Sequence, residues 1–264
     1  MNDPMDPPRA RVAVPVAGAK AAGRPADIVA GGACAFQLSQ DATCASRARS
    51  LLAATMRQLG FPEEPIEDAQ LAVSELATNV HVHTVKSRGG AAGLPELWVW
   101  GRTWPASELV VSVFDVHRNA WPVDAGAELL DEHGKGLTIV AALTSATGAH
   151  ITRSRVASAV LGKCVWFALP VSATWPARRP MAPGRAALWL VEALRARGVS
   201  VSWRSDHTGV SVINAEALNV WVEPKVFTWR DGADYVRRPL ADLQETAERI
   251  VGHIETARAA TFTA

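Results

Sequence analysis

The stretch that most limits how this chain can fold is Leu71 to Thr84, LAVSELATNVHVHT. Ile66, Ala69, Val73, Leu76 and Val80 recur at alternating steps of three and four, the period of a helix that buries one face. Glu75, Asn79 and His83 stand four apart, so they form a polar row beside that buried stripe. A carboxylate and an amide one turn apart suit two tasks. The carboxylate can take a proton from a water or hydroxyl, and the amide oxygen can sit on a hard divalent cation such as Mg²⁺, which shares its oxygen ligands with substrate phosphates.

The chain of 264 residues has room for one large domain or two modest ones, and the composition shift described below favours two. Hydrophobic residues make up 48% and charged residues 20%, enough apolar surface for a packed core. A formal charge of +1 argues against a broad footprint for direct nucleic-acid binding. No apolar run approaches the ~18 residues of a membrane helix, and the first residues lack a basic segment followed by an apolar one. The expectation is therefore a cytoplasmic protein with no membrane partner. Cys34, Cys44 and Cys164 are odd in number and lack CxxC spacing, so they read as small buried or incidental thiols rather than a disulfide framework. His81 and His83 are two apart on a helix and point about 200° away from each other, which prevents chelation of one zinc ion.

Residues 1–32, rich in Pro, Ala, Gly and Arg, read as a disordered arm. Ala33 to Leu38 reads as a strand, followed by a helix that Gly60 ends and by the long helix carrying the polar row. Strands follow at Glu96 to Arg102 and Glu108 to Phe114. The second is an apolar run ending in Asp115, where a carboxylate can accept a hydrogen bond from an exocyclic amino group while apolar neighbours cover a flat base. Val116 to His133, with Pro122, is too long for a tight connection and reads as a mobile covering loop. Gly134, Lys135, Gly136 and Leu137 open a helix, a place where backbone N–H groups and the helix dipole favour phosphate. Strands near Ala149 to Arg153 and Lys163 to Leu169 complete the unit over 33–170. The expected architecture is α+β, a two-layer α/β sandwich with a mixed sheet and helices on one face.

Three motifs then stand in order: ELATN with a trailing His83, VFD followed by Pro122, and GKGL opening a helix. Together with the closing Gly162-Lys-Cys-Val-Trp-Phe167 they resemble the GHKL, or histidine-kinase-like, ATPase fold. Within it they resemble the anti-sigma-factor serine kinase type common among actinobacterial regulators. The resemblance covers roughly residues 34 to 170. It implies ATP and Mg²⁺ as cofactors, with Asn79 holding the metal, Glu75 positioning or deprotonating the attacking group, Asp115 binding the adenine amino group, and Gly134 to Leu137 forming the lid end against the phosphates. It also implies a protein partner, either a sigma factor or an anti-sigma-factor antagonist phosphorylated on Ser or Thr, and leaves a homodimer open. Two departures favour the alternative of a non-catalytic interaction module with a degenerate nucleotide site. Asp115-Val-His-Arg-Asn119 lacks the glycines of a DxGxG loop, and Cys164 stands where a threonine hydroxyl would meet nucleotide.

Residues 171–185, with Pro176, Pro180, Pro183 and two arginines, have linker composition. The unit over 186–258 reads as α-β-β-β-α, with a further strand near Phe227 to Arg230. Trp189, Trp203, Trp221 and Trp229 are expected to fill its small core.

Overall fold

The computed structural model describes residues 21–86, 93–118, 135–171, 181–206 and 209–263. The chain opens with β1 (Ala21–Ala22), α1 (Pro25–Val29) and β2 (Ala33–Gln37). The disordered arm expected over 1–32 is thus folded from residue 21 onward, and residues 1–20 lie outside the described residues. Ile28 is the apolar anchor that the expectation overlooked, for it is fully buried under the first core.

Next come α2 (Cys44–Gln58) and α3 (Glu63–Lys86), which pack as an antiparallel pair across a turn at Gly60, whose φ of +82° favours glycine. They are followed by β3 (Glu96–Arg102), β4 (Glu108–Asp115), α4 (Lys135–Leu143), β5 (Ala146–Arg153) and β6 (Leu161–Pro170). The strands form one sheet in the order β1-β2-β3-β4-β6-β5.

Every pairing described in this sheet is antiparallel, which corrects the expected mixed sheet. The α2–α3 pair explains the β2–β3 step. Two antiparallel helices return the chain in the opposite sense to a single-helix crossover, so the strands they join run antiparallel.

Alternation along the strands divides the side chains between two faces. Leu97, Val99, Leu109, Val111, Val113 and Phe167 point to α2, α3 and α4, where they meet Leu52, Met56, Ile66, Val73, Leu76 and Val80 in an aliphatic core. Trp98, Trp100, Phe114, Cys164 and Ala168 point the other way. All residues of β3 and β4 are buried, so the second face is covered too. Within this unit the helices lie on one face, as expected, and the cover on the other face comes from outside it: α6 (Leu243–Thr263), from the other end of the chain, lies against β3 and β5.

That helix belongs to a second unit built from α5 (Pro183–Ala196), β7 (Val201–Ser205), β8 (Ser211–Ala215), β9 (Leu218–Val222), β10 (Val226–Asp231), β11 (Asp234–Pro239) and α6. The five strands form an antiparallel meander in the order β11-β10-β9-β8-β7. Leu190, Leu194, Ile213, Val220, Phe227, Ile250 and Ile254 make its core. The unit has two more strands than the α-β-β-β-α reading, one of them the further strand anticipated near Phe227. The other, β11, reads DYVRRP and is a charged, largely exposed edge strand without the alternation that marks a half-buried one. Its boundaries also run past those expected. Pro183 starts α5 inside the supposed linker, as proline can at a first helical position, and α6 continues beyond residue 258. Of the four tryptophans assigned to this core only Trp229 is fully buried, while Trp203 and Trp221 are exposed at 39% and 36%. No helix among the described residues is long and apolar enough to cross a membrane.

Candidate functional site

The 24-residue helix α3 carries the polar row. Its stripe of Ile66, Ala69, Val73, Leu76 and Val80 is buried as the period requires, leaving Glu75 and Asn79 half-buried beside it. Glu75 reaches the first turn of α4. A Cβ built on Gly136 would stand 2.5 Å from Glu75 Oε2, so glycine at this position is what lets the carboxylate lie against the helix start. Leu137 packs half-buried on the aliphatic core and fixes α4 there. The structure thus brings together Glu75, Gly136 and Leu137, with Asn79 one turn further along α3. The side chains of His83 and Lys135, and all of Pro122 and Gly134, lie outside the described residues.

Asp115 ends β4 on the same face of the sheet as Val111 and Val113, the face that carries the helices. It lies close enough to the start of α2 that its charge, after burial and Asp41, helps push the Cys44 thiol up to about 11. Its carboxylate is already engaged. Lys163 stands directly opposite in the β4–β6 ladder and donates from Nζ to Asp115 Oδ2, while the His117 N–H donates to Oδ1 at 2.9 Å. Lys163 also donates to the His117 carbonyl at 2.6 Å, so the ion pair ties down the start of the connection that follows β4. Asp115 is only 1% exposed. Sequence reasoning missed Lys163 because its pairing with Asp115 depends on the register between two strands that are 48 residues apart at this bond.

Cys164 needs a correction. Its neighbour Lys163 shares the face of Asp115, so by alternation Cys164 points to the opposite face, where it packs with Ala35, Trp98 and Phe114. Burial, followed by the nearby Glu248 carboxylate, pushes its thiol well above the ordinary value. It does not stand in for a threonine beside Asp115.

The donor types suit a nucleotide at one end more than at the other. Glu75 and Asn79 offer oxygen ligands to a hard cation that normally keeps waters and phosphates in its shell. Gly136 leaves the helix start free of side-chain bulk. Asp115 retains unused lone pairs for a base amino group, since a carboxylate has about four acceptor positions, but Lys163 holds one oxygen. Among the described residues no group of three or more His, Cys, Asp or Glu side chains could hold a metal ion by itself. Compared with known proteins, the chain matches no protein-family model and no curated protein.

Proposed function

We propose that this is a cytoplasmic ATP-binding regulatory protein of the GHKL, anti-sigma-factor kinase type. Residues Asn79 and Glu75 would hold Mg²⁺ and the phosphates near the start of α4, and Asp115 would take the base. Bound Mg-ATP would supply the phosphoryl group. Glu75 would orient or deprotonate a Ser or Thr hydroxyl of an antagonist protein, a reaction in which positioning and charge neutralisation account for most of the catalysis. The observation that carries this reading is the approach of Glu75 to Gly136, which sets a carboxylate against a glycine-opened helix start one turn from an amide.

A second reading, a non-catalytic interaction module, is favoured by the engaged state of Asp115. In that version Lys163 takes the place of a base, and the protein partner is bound without phosphoryl transfer. Calorimetry with Mg-ATP on the wild type and Asn79→Ala separates the two. Binding that weakens at least tenfold in the variant, about 1.4 kcal/mol, supports the nucleotide site. A wild type silent at millimolar Mg-ATP leaves the second reading. If nucleotide binds, Glu75→Gln should retain it and lose transfer, and transfer at the normal rate would remove Glu75 from the chemistry.

A further inference from the structure

An antiparallel sheet ends in strands whose outward N–H and C=O groups have no ladder partner, and folds blunt such edges with proline, charge or cover. Most of the edges here are blunted. In the six-stranded sheet β1 has only two residues, while β5 has α6 against it and its Arg153 carbonyl accepts from Arg197. In the five-stranded sheet the Leu240 N–H donates to the Lys225 carbonyl at 3.1 Å, and alternation from that bond turns the backbones of Tyr235, Arg237 and Pro239 outward on β11. Pro239 has no N–H to offer, and the Arg237 carbonyl accepts from Arg238 Nη1 at 2.8 Å.

The opposite edge, β7, lacks these devices. Its pairing with β8 is bracketed by two bonds, from Glu216 N–H to the Ser200 carbonyl at 3.1 Å and from Asp206 N–H to the Val210 carbonyl at 3.0 Å. Alternation from either bond turns Ser202 and Arg204 toward β8, so the backbones of Val201, Trp203 and Ser205 face outward. Arg195 donates to the Val201 carbonyl at 3.1 Å. The N–H groups of all three residues, and the carbonyls of Trp203 and Ser205, have no partner among the described residues.

The side chains of β7 limit what can lie beside it. Trp203 stands opposite Ile213, on the face that carries α5 and α6, but at the rim, where it is 39% exposed. Arg204 stands opposite Val212 on the other face; it is exposed, and no carboxylate pairs with it among the described residues. The Asp206 carboxylate nearby accepts from the Val210 N–H at 3.2 Å. An added strand would therefore meet an indole on one face and an unmatched cation on the other. Directly opposed residues share a face, so the segment that fits sets apolar residues against Val201, Trp203 and Ser205 and a carboxylate against Arg204. Paired about Trp203, a second copy of β7 would bring only a serine opposite Arg204 and leave that charge unmatched.

We propose that β7 is the docking edge for an extended segment of a partner protein, with alternating apolar and acidic residues, which joins the five-stranded sheet as a further antiparallel strand. No residue of the nucleotide site takes part, so docking does not require bound ATP. Fluorescence anisotropy on the full chain tests it, with a labelled peptide of about eight residues alternating valine and glutamate as probe and a valine–lysine peptide as its counterpart. The valine–glutamate peptide should bind saturably below millimolar concentration and at least tenfold more tightly than valine–lysine, and Arg204→Glu should invert that order. In an antiparallel pair the residues opposite Val201, Trp203 and Ser205 exchange both backbone bonds with β7, and these are the valines. N-methylation of the valine amides should weaken binding at least tenfold, whereas N-methylation of the glutamate amides, which face away from β7, should leave it within about threefold. The proposal is overturned by absence of saturable binding at millimolar peptide, by equal affinity for the two peptides, or by equal losses in the two methylated series. Absence of peptide binding in a chain that sediments as a dimer, with the dimer dissociated by Ser205→Pro, would give the edge to a second copy instead.

Discussion

The two faces of the six-stranded sheet are covered by different chemistry. The face under α2, α3 and α4 is aliphatic, with Leu, Val, Ile and Met interdigitating. The face under α6 is aromatic and ionic. Arg155 lies over Trp98 and Trp100 at 5.0 and 5.1 Å, and Arg197, reaching across from the second unit, lies over Trp98 at 4.9 Å. Glu248 draws both arginines together, while Arg153 pairs with Glu255 at 2.8 Å. Asp242 closes the far end by accepting from the backbone N–H groups of Thr103 at 2.7 Å and Trp104 at 3.0 Å. The first face is held by apolar contacts, which are non-directional. The second face ties each charge to a placed partner, so it fixes how the second unit sits.

The sharpest way to break this contrast is Glu248→Ala, which leaves Arg155 and Arg197 buried without their carboxylate. Denaturant unfolding should show a loss of about 3–5 kcal/mol, and a loss below about 1 kcal/mol would mean the ionic layer is not sealed from water. Replacing the trio together, with Glu248→Leu, Arg155→Leu and Arg197→Met, should recover most of that loss. On the aliphatic face Leu76→Ala should cost about 2–4 kcal/mol through the cavity it leaves, read in the same assay.

Acid gives a more graded effect. Burial would raise the Glu248 carboxyl, but Arg197, the His150 hydrogen bond and Arg155 outweigh it and hold the group well below the ordinary carboxylate range. Its contribution is whole above the unfolded value near ~4.3 and is lost as pH falls from there toward the folded value. Melting curves between pH 7 and pH 3 should therefore show a loss confined to the acid side of that window, smaller in Glu248→Ala than in wild type. The smallest effect belongs to Ile66→Val, about 0.5–1.5 kcal/mol. A cost as large as that of Leu76→Ala would show that the aliphatic face is as unforgiving as the ionic one.

How much of this could be read in the sequence follows the same division. The spacing of Ile66, Val73, Leu76 and Val80 gives α3 and its buried stripe, and the β3 and β4 runs stand within a residue of their expected limits. Glu75 and Gly136 were both singled out, and their meeting follows from α3 packing beside α4. The second face was legible only as a clue, in that Trp98 and Trp100 alternate with equally apolar Leu97 and Val99 and so demand cover on both sides. What supplies the cover is α6, whose Glu245, Glu248 and Glu255 look like an ordinary solvated helix stripe until their arginines are found far away in the chain. Periodicity reports that a residue is buried against something, and it carries no information about a partner separated by 96 residues, as Thr152 is from Glu248.

The position of α6 also sets a timetable for biosynthesis. The strands that expose Trp98, Trp100 and Trp166 are complete once β6 ends at Pro170, but the helix that covers them begins only at Leu243. That leaves roughly 70 residues to be made, several seconds of translation at about 5–20 residues per second. During that interval the nascent chain carries a bare aromatic sheet face with unmatched arginines beside it, a surface that chaperones would be expected to meet before α6 does.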